Sequence, residues 1–470
     1  MATPEEIRKV PRPKNTVIKT VGDHHYVVRR TCVYKDGRRL PVDLETIGKI
    51  VNFEFVPMKK KVKQYQVETK DFGNVVFADK IAKGLLDDLR KVYAENDAMK
   101  IYNVALLRAV YGDIKNRDIQ FKYETSFLSE LYKVSLSRQT LSSFLFDLGK
   151  AESAMMDFMK NRIENASDMT IVDGMLKNNN SDTVYSQFSR KGKVKGSKDL
   201  SLLYALDFKS HEPIAFSLNQ GNMLDKTAFD SFLKQFNIGN SVIIGDKGFE
   251  MTDETRIEIA LHNNLRYLIP IKRNKKIIQT YNLLDMTEHL KERDNCRVLA
   301  KKISVDGLTY YAFKDPMKQG YEFSSKIEAR AKNDEDISDV IAKSNEFGTI
   351  IFESNFDVDL DTAYAMYENR WEIETMFNLY KNIIDQQSSN VHSNYSILGV
   401  EFINFLSVII GIKLKRFIIE RDLNKKYSQK QIMSYLQTIR KTRYSNSTEW
   451  SFCKMLKYVK KLGEDLDLVL

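Results

Sequence analysis

The chain reads Met169-Thr-Ile-Val-Asp-Gly174 at one point and Ser241-Val-Ile-Ile-Gly-Asp-Lys-Gly-Phe249 at another. In each stretch a short, β-branched apolar run ends at an aspartate, Asp173 or Asp246. Such runs are typical of central strands buried on both faces. Because open α/β sheets bind ligands at the carboxyl ends of their strands, both aspartates are candidate ligand-binding residues. The alternative interpretation is turn chemistry, since Asp-Gly and Asp-Lys-Gly are also common turn sequences.

A third candidate acid lies on a predicted helix. The spacing Y-x2-R-x3-E-x6-K is formed by Tyr367, Arg370, Glu374 and Lys381. On one regular helix these four side chains would lie within about 60° of one face. A carboxylate, two cations and a phenol on one face are suited to binding a metal-bound phosphate. The alternative interpretation is an ordinary solvated face with an Arg370–Glu374 ion pair at i, i+4.

Three carboxylates without histidine or cysteine would form a hard site made only of oxygen ligands. Such a site suits Mg²⁺, with Mn²⁺ as the alternative, rather than zinc or copper. Two such ions about 4 Å apart can activate an attacking water or hydroxyl and stabilise the leaving oxygen of a phosphodiester. Arg370 and Lys381 would then hold neighbouring phosphates. We therefore expect the three carboxyl groups to lie within about 8 Å of one another.

The chain resembles the DDE transposases of bacterial insertion sequences, in the branch that carries the Y-R-E-K signature (insertion-sequence family 4). The three acids of that family match Asp173, Asp246 and Glu374. The rest of the signature matches, without a spacing error, at Tyr367, Arg370 and Lys381. The wording Tyr367-Glu-Asn-Arg-Trp-Glu-Ile-Glu-Thr-Met-Phe377 is also similar to that of the family. The resemblance extends over about residues 165–415.

This resemblance implies an α/β fold with an RNase H-like catalytic core, which is a mixed five-stranded sheet with flanking helices. The acids would lie on the first strand, the fourth strand and a late helix, and a β-rich insertion would interrupt the core. The implied reaction is metal-dependent cleavage at the transposon ends, followed by attack of the freed 3′-hydroxyl on target DNA. The implied partners are double-stranded DNA, as terminal inverted repeats and target, and a second copy of the chain in a homodimer on DNA.

The chain is long enough for several domains. The alternation of patterns predicts six regions. They are a basic leader with a candidate β-hairpin at 1–70, a helical region at 71–165 that is a candidate DNA-binding domain, the first half of the core at 166–271, a β-containing insertion at 272–347, the second half of the core at 348–420 and a helical C-terminal region at 421–470.

A second candidate DNA-contacting element lies in the helical region. The stretch from Phe127 to Leu145 resembles a helix-turn-helix in which Ser137 caps the second helix. Any helical hairpin would look similar, so this motif is a weak one. The predicted DNA contacts are Tyr367, Arg370, Lys381, Lys247, Arg138 and Gln139.

Composition favours a polyanionic partner and a reducing compartment. The formal net charge is +10 and the isoelectric point is about 9.1. The three cysteines are far apart and form no metal-binding or disulfide pattern. The first 30 residues carry charges throughout and lack the apolar core of a signal peptide. The most apolar stretch, 402–412, would span about 16 Å as a helix, too short for a bilayer of roughly 30 Å. We therefore predict a buried core helix and a cytoplasmic, nucleoid-associated bacterial protein without a membrane partner.

Two alternative functions remain open from the sequence. One is an RNase H-fold endonuclease that cuts DNA without joining strands. The other is a DNA-binding regulator of transposition without catalysis, which the three intact acids disfavour. Strand-transfer products would separate a transposase from a nuclease, and metal-dependent cleavage would separate either enzyme from a regulator.

Overall fold

The computed structural model describes residues 3–35, 37–58, 66–112, 114–189, 196–236, 238, 241–245, 249, 251–261, 264–291, 297–333, 335–382 and 391–470. Its chain divides into two units. The first unit comprises Met1–Val67 with Tyr444–Thr448, and the second comprises Glu68–Arg443 with Glu449–Leu470.

The first unit is an antiparallel sheet. Its elements are α1 (Glu5–Arg8), β1 (Thr16–Val21), β2 (His24–Lys35), β3 (Arg38–Val51) and β4 (Glu54–Pro57). Within the described residues the strand order is β1-β2-β3-β4. A small core of Ile7, Val10, Val27 and Ile50 holds α1 against this sheet. The lysine run at 59–63 lies outside the described residues.

The second unit begins with a strand and a series of helices. They are β5 (Val67–Asp71), α2 (Gly73–Arg90), α3 (Glu95–Tyr111), α4 (Ile119–Glu124), α5 (Leu128–Tyr132), α6 (Arg138–Lys150) and α7 (Glu152–Glu164), with a 3₁₀ turn at Asn116–Asp118. Ser137 is the N-cap of α6, because its side chain accepts the Thr140 N–H at 3.2 Å. This is the cap that the sequence predicts for the second helix of the motif.

The sheet and its flanking helices follow. The strands are β6 (Met169–Asn178), β7 (Gln187–Phe188), β8 (Lys198–Asp207), β9 (Pro213–Gln220), β10 (Val242–Ile244), β11 (Arg266–Pro270), β12 (Glu288–His289), β13 (Leu299–Val305), β14 (Leu308–Lys314) and β15 (Thr349–Ser354). The helices are α8 (Asp225–Gln235), α9 (Asp253–Leu261), α10 (Lys276–Thr280), α11 (Pro316–Ala331), α12 (Ser338–Ala342), α13 (Leu360–Asn369) and α14 (Trp371–Asn382), with a 3₁₀ turn at Ser344–Glu346.

The chain ends in a long helix and smaller elements. These are α15 (Asn394–Glu420), a 3₁₀ turn (Leu423–Lys425), α16 (Gln429–Gln437), β16 (Arg440–Tyr444), β17 (Ser451–Phe452) and α17 (Lys457–Asp465). Strands β17, β16 and β5 form a small sheet in that order.

The main sheet is mixed and larger than the sequence predicts. Across the described residues its order is β12-β13-β14-β15-β11-β10-β6-β8, and β8 also pairs with β7 and β9. Strand β10 runs parallel to both β6 and β11, whereas β6–β8 and β8–β9 are antiparallel. The predicted insertion at 272–347 falls in the chain between β11 and β15, which pair with each other. Its strands extend the sheet at one edge, because β14 pairs with β15 from Thr309↔Ser354 to Lys314↔Thr349.

The hairpin β13–β14 shows how local chemistry produces part of this extension. Asp306 and Gly307 connect the two strands, and both have positive φ, 52° and 78°. Two consecutive left-handed residues give the tight turn that matches the twist of antiparallel strands. In the sequence, an Asp-Gly pair within a weakly alternating segment predicts a turn between two strands, and the structure confirms this prediction.

Helix α15 forms the centre of the core. It packs against α3, α6, α14 and β9. By length and composition it could cross a membrane, but 89% of its most apolar window is buried inside the protein. A helix that is apolar all round has this position in a globular core. The predicted core helix at 402–412 is therefore present, although it extends over 27 residues.

Two glycines allow α15 to approach α6 closely. A Cβ added to Gly399 would lie 2.1 Å from the Leu145 carbonyl oxygen, and one added to Gly149 would lie 1.7 Å from that of Tyr395. Both positions therefore exclude any side chain. This contact seats the C-terminal half of α6 in the core and leaves Arg138 and Gln139, at its first turn, exposed.

One predicted helix cap is wrong. In the sequence, Asp225 directly precedes a helical pattern at 226–236, which predicts that it caps this helix, but α8 begins at Asp225 itself and Leu224 is the N-cap residue. An acid in the first turn still faces the positive end of the helix dipole, so its sequence signal resembles that of a cap.

Candidate active site

Asp173 lies inside a strand rather than at its end. Strand β6 continues to Asn178, and Asp173 is paired with Tyr204 of β8. Both sequence interpretations of its position, a strand end and an Asp-Gly turn, are therefore wrong. The reason is that β8 pairs with β6 as far as Asn178, whereas the described pairing with β10 reaches only Ile171. The Asp173 side chain is 17% exposed, and it accepts the Gly174 N–H at 2.7 Å.

The second candidate acid, Asp246, and its neighbour Lys247 lie outside the described residues. The strand before them is described. Its parallel register sets Ile244 opposite Ile171 of β6. In the sequence, Asp173 comes two residues after Ile171, and Asp246 comes two residues after Ile244.

The predicted signature helix is two helices. α13 ends at Asn369, Arg370 is its C-cap, and α14 begins at Trp371. Around the junction the backbone bonds tighten to i, i−3 spacing: the Arg370 N–H donates to the Tyr367 carbonyl at 3.0 Å and the Ile373 N–H to that of Arg370 at 3.1 Å. A tightened turn rotates by more than about 100° per residue. The single helix face that the sequence predicts for the four signature residues therefore does not continue from α13 into α14. The sequence predicts that the signature helix starts near Asp359, and Asp359 is the N-cap of α13.

Arg370 joins the two described acids. Its Nη2 donates to Glu374 Oε1 at 3.0 Å, and its Nη1 lies 3.8 Å from Asp173 Oδ2. The i, i+4 ion pair of the alternative interpretation is therefore present. The same guanidinium also reaches an acid 197 residues earlier in the chain, on β6. Only the folding of α14 over β6 produces this contact.

The other signature residues lie at different depths. Tyr367 is partly buried in α13, and its ring centroid is 4.9 Å from that of Phe352 on β15. Lys381 is in the last turn of α14, where its Nζ lies 5.7 Å from the Phe377 ring centroid. Glu374 is 36% exposed, so the carboxylate can be reached from solvent.

A cavity of about 780 Å³ opens beside Arg370 and Tyr367. Lys272, Arg273, Lys318 and Lys326 also line it, and none of these was predicted from the sequence. They belong to the region expected to be an insertion, and their sequence spacing contains no motif. Arg273 is held by Glu322, at 2.8 and 3.1 Å. The cavity thus presents cations from several elements next to the signature.

A buried polar network links the two elements that carry the described acids. Lys177 of β6 donates to Glu401 of α15 at 2.7 Å and to the Tyr380 hydroxyl of α14 at 3.0 Å. The Tyr380 hydroxyl donates to Glu401, and Asn404 donates to both of these groups. Lys177 and Glu401 have fully buried side chains.

Burial dominates the electrostatics of this network. It lowers the pKa of Lys177, although the Glu401 charge acts in the opposite direction. It likewise lowers the pKa of Arg108, which donates to Asn404, to about 10. Burial also raises the pKa of the Tyr380 hydroxyl, so this group stays protonated. A single carboxylate therefore anchors one lysine, one tyrosine and one asparagine from three elements.

The described acids suit a hard divalent cation. Asp173 and Glu374 offer carboxylate oxygens around one guanidinium, that of Arg370. In the described part of the chain no three His, Cys, Asp or Glu side chains are grouped closely enough to hold a metal ion. The proposed third ligand, Asp246, is not within that part.

Comparison with known proteins found a family match and similar solved structures. Residues 167–394, somewhat less than half of the chain, match the family model described as the transposase DDE domain. A similar solved structure is a piggyBac transposase synaptic complex with hairpin DNA, determined by cryo-EM. It is 12% identical, with a TM-score of 0.42, over 79% of this chain and 82% of that one. No curated protein sequence matches this chain. The match over residues 167–394 supports a DNA transposase of the DDE type.

Proposed function

We propose that this protein is a DDE transposase of the Y-R-E-K branch that cleaves transposon ends and joins the freed 3′-hydroxyl to target DNA. The observation that carries the proposal is the contact of Arg370 with both Asp173 on β6 and Glu374 on α14. It brings together acids that the sequence singled out independently.

The strand arrangement supports an RNase H-like core. The path β9-β8-β6-β10-β11 is a mixed five-stranded section within the larger sheet, and only β8 runs opposite to the other four strands. In this section β6 is the first strand in chain order and β10 the fourth. Asp173 lies on the first, Asp246 follows the fourth in sequence, and Glu374 lies on a late helix. This is the distribution that the proposed core requires.

Asp173, Asp246 and Glu374 would hold two Mg²⁺ or Mn²⁺ ions. When bound, these ions supply activation of the attacking oxygen and stabilisation of the leaving oxygen. The planar fork of Arg370 can accept a phosphate in two parallel hydrogen bonds, and Lys381 can neutralise a neighbouring phosphate as a point charge. Tyr367, packed on Phe352, holds the end of α13 from which Arg370 projects.

The remaining parts of the proposal follow from this chemistry. The substrate is double-stranded DNA, as terminal inverted repeats and target, and the acting species is a homodimer on two ends in a bacterial cytoplasm. Arg138 and Gln139, exposed at the first turn of α6, are proposed contacts to the DNA, as is Lys247. The second candidate function is an endonuclease that cuts DNA without strand transfer. The same three acids would support cleavage in either enzyme.

The test uses labelled duplex DNA with the inverted repeats that flank the gene, a plasmid target and Mg²⁺. We expect cleavage at the repeat ends and joined products. Glu374→Gln should lower cleavage at least about 100-fold, since even removing partners of metal ligands costs about 10–100-fold. Duplex binding should be unchanged, because cationic contacts supply most of it.

Glu372→Gln is the matched control. Glu372 lies two residues from Glu374 on the same helix but faces His211 at 3.7 Å and Lys415 at 4.0 Å. A Glu374→Gln protein that cleaves as fast as the Glu372→Gln protein would contradict the proposed site. Cleavage without any joined product would favour the endonuclease.

A further inference from the structure

The first unit carries most of the net charge of the chain. Residues 1–65 contain 15 Lys and Arg against 7 Asp and Glu, a net charge of +8, while the whole chain has +10. A segment of this length with such an excess is an electrostatic footprint for a polyanion. The charge lies in a unit separate from the one that carries the candidate acids.

Strands β2 and β3 continue beyond their neighbours as a two-stranded ribbon. Pairing of β1 with β2 stops at Arg29, and pairing of β3 with β4 starts at Gly48. Between these limits β2 and β3 pair without interruption from Arg30↔Asp43 to Lys35↔Arg38. We call residues 30–35 and 38–43 the distal ribbon. Six residues per strand give it a length of about 20 Å.

Both faces of the distal ribbon are exposed from the pair Thr31↔Val42 outward, and its tip is basic. Tyr34 and Arg39 are paired and share one face, while Lys35 and Arg38 are paired on the other. All four side chains are exposed, Tyr34 by 74%. The tip therefore presents three cations and an aromatic ring in two directions.

An apolar cross-strand pair lies directly behind the tip. Val33 and Leu40 face each other on the side of Lys35 and Arg38, and they are 50% and 46% exposed. Exposed apolar surface bordered by charges is typical of interaction sites. Such side chains can contact thymine methyl groups on base edges.

We propose that the distal ribbon inserts into the major groove of duplex DNA, with Lys35, Arg38 and Arg39 on the flanking phosphates. This inference rests on the proposed function for its choice of DNA as the polyanion. The major groove is about 12 Å wide and admits a two-stranded ribbon. The helical motif around α6 would then not be the principal DNA contact.

The same features disfavour a second copy of the chain as the partner that binds the distal ribbon. Two ribbon tips meeting across a two-fold axis would bring like charges together, which costs free energy at short range. A single strand of nucleic acid would be bound by stacking on several aromatic rings, and the ribbon tip carries one, Tyr34.

The experiment compares three full-length variants with wild type. The first neutralises the tip: Lys35→Ala, Arg38→Ala and Arg39→Ala. The second removes three exposed charges from α17: Lys457→Ala, Lys460→Ala and Lys461→Ala. The third keeps the tip charge: Lys35→Arg, Arg38→Lys and Arg39→Lys. The dissociation constant for a 40-base-pair duplex is measured against salt concentration in EDTA, so cleavage is not required.

The tip-neutral variant should bind at least tenfold more weakly at about 0.1 M salt. Its log–log salt dependence should be less steep by about 2–3, since each phosphate contact contributes about 0.9. The α17 variant should match wild type, and the charge-preserving variant should retain the salt dependence. Thermal unfolding of each variant checks that the substitutions, all at exposed positions, leave the fold intact.

A tip-neutral variant with the salt dependence of the α17 variant would overturn the proposal. The proposal would also be overturned if the tip-neutral variant bound duplex DNA like wild type and lost only its binding to a 40-nucleotide single strand or to anionic lipid vesicles. A loss only of self-association, measured by sedimentation, would overturn it as well. The proposed function can fail separately from this inference. In that case the wild-type protein would still bind duplex DNA through the ribbon, but it would not cleave the DNA when Mg²⁺ is added.

Discussion

Arg370 is placed between two acids that are candidates for metal binding. Its guanidinium contacts Glu374 at 3.0 Å and lies 3.8 Å from Asp173, while only 12% of its side chain is exposed. A cation in this position balances two carboxylates that would otherwise repel each other. It is also within reach of a phosphate that approaches the same acids. In the proposed reaction, one residue can therefore hold the two acids together and contact a phosphate of the substrate.

This position predicts a double effect of Arg370→Ala. Cleavage should fall by about 100-fold, because small displacements of a reacting phosphate have costs of that size. The Mg²⁺ concentration needed for half-maximal thermal stabilisation should fall, because a positive charge has been removed from beside both carboxylates. Cleavage rates and melting curves with and without Mg²⁺ measure the two effects.

Arg330→Ala is the matched control, since Arg330 forms surface pairs with Glu335 and Asp339. It should leave both quantities unchanged. The contradicting outcome is an Arg370→Ala protein that keeps the wild-type cleavage rate and Mg²⁺ requirement and loses only about 0.5 kcal/mol of stability. That result would show that Arg370 forms only a surface ion pair with Glu374.

At the scale of elements, the buried network around Glu401 sets the position of α14 on β6. Lys177 lies four residues after Asp173 on β6, and Tyr380 lies six residues after Glu374 on α14. Both meet at Glu401 of α15. Buried charges contribute little net stability compared with apolar side chains, but they can specify a unique arrangement. We therefore expect the network to act as a positioning device for the two acids.

Tyr380→Phe tests this role, because it removes one hydroxyl and keeps the ring. We expect a loss of about 1–2 kcal/mol of stability from the broken hydrogen bonds. Cleavage should fall about tenfold or more, with a higher Mg²⁺ requirement, because the spacing of Asp173 and Glu374 is relaxed. Melting curves and Mg²⁺ titrations of the cleavage rate provide the two readouts.

Tyr102→Phe provides the comparison. Its buried hydroxyl also donates to a carboxylate, Asp79 at 2.9 Å, but it lies on α3, which carries neither acid. The two variants should lose similar stability, and only Tyr380→Phe should change the Mg²⁺ requirement. Equal Mg²⁺ requirements in both variants would limit the network to a structural role.

For the whole molecule, several buried or half-buried carboxylates make the fold sensitive to acid. Burial raises the pKa of Asp207, but hydrogen bonds from Ser167 and Ser210 outweigh this and lower it below 3.8. Asp315 and Glu322 show the same balance, with Arg297 and Arg273 as their main partners. Their folded pKa values are thus below those of the unfolded chain.

The sign of the effect follows from linkage. A carboxyl group with a lowered folded pKa stabilises the protein above its unfolded pKa, and this contribution is lost as the pH falls through the folded value. We expect the melting temperature to be steady from pH 7 to 5 and to fall below about pH 4. The Asp207→Asn protein should be less stable than wild type at pH 7. Between pH 5 and 3 its melting temperature should fall by less than that of wild type.

Asp157→Asn, at an exposed position on α7, is the control and should follow the wild-type profile. A wild-type melting temperature that does not change down to pH 3 would contradict this account of the buried carboxylates.

The sequence by itself determined the local features of this protein. Apolar β-branched runs specified β6 and β10, Asp306-Gly307 specified a tight hairpin, and Ser137 and Asp359 specified helix starts. These signals act over a few residues, through backbone conformation and capping, so they can be read from neighbouring positions. The spacing of Arg370 and Glu374 predicted their ion pair for the same reason.

Only the tertiary structure decided the features that join distant parts of the chain. The extension of the sheet through β12–β14, the tightened turn at Arg370, its contact with Asp173 and the network around Glu401 are of this kind. So are the cations of the cavity beside Arg370. Strand pairing and the burial of polar groups depend on which surfaces meet after folding, and no spacing along the sequence encodes that meeting.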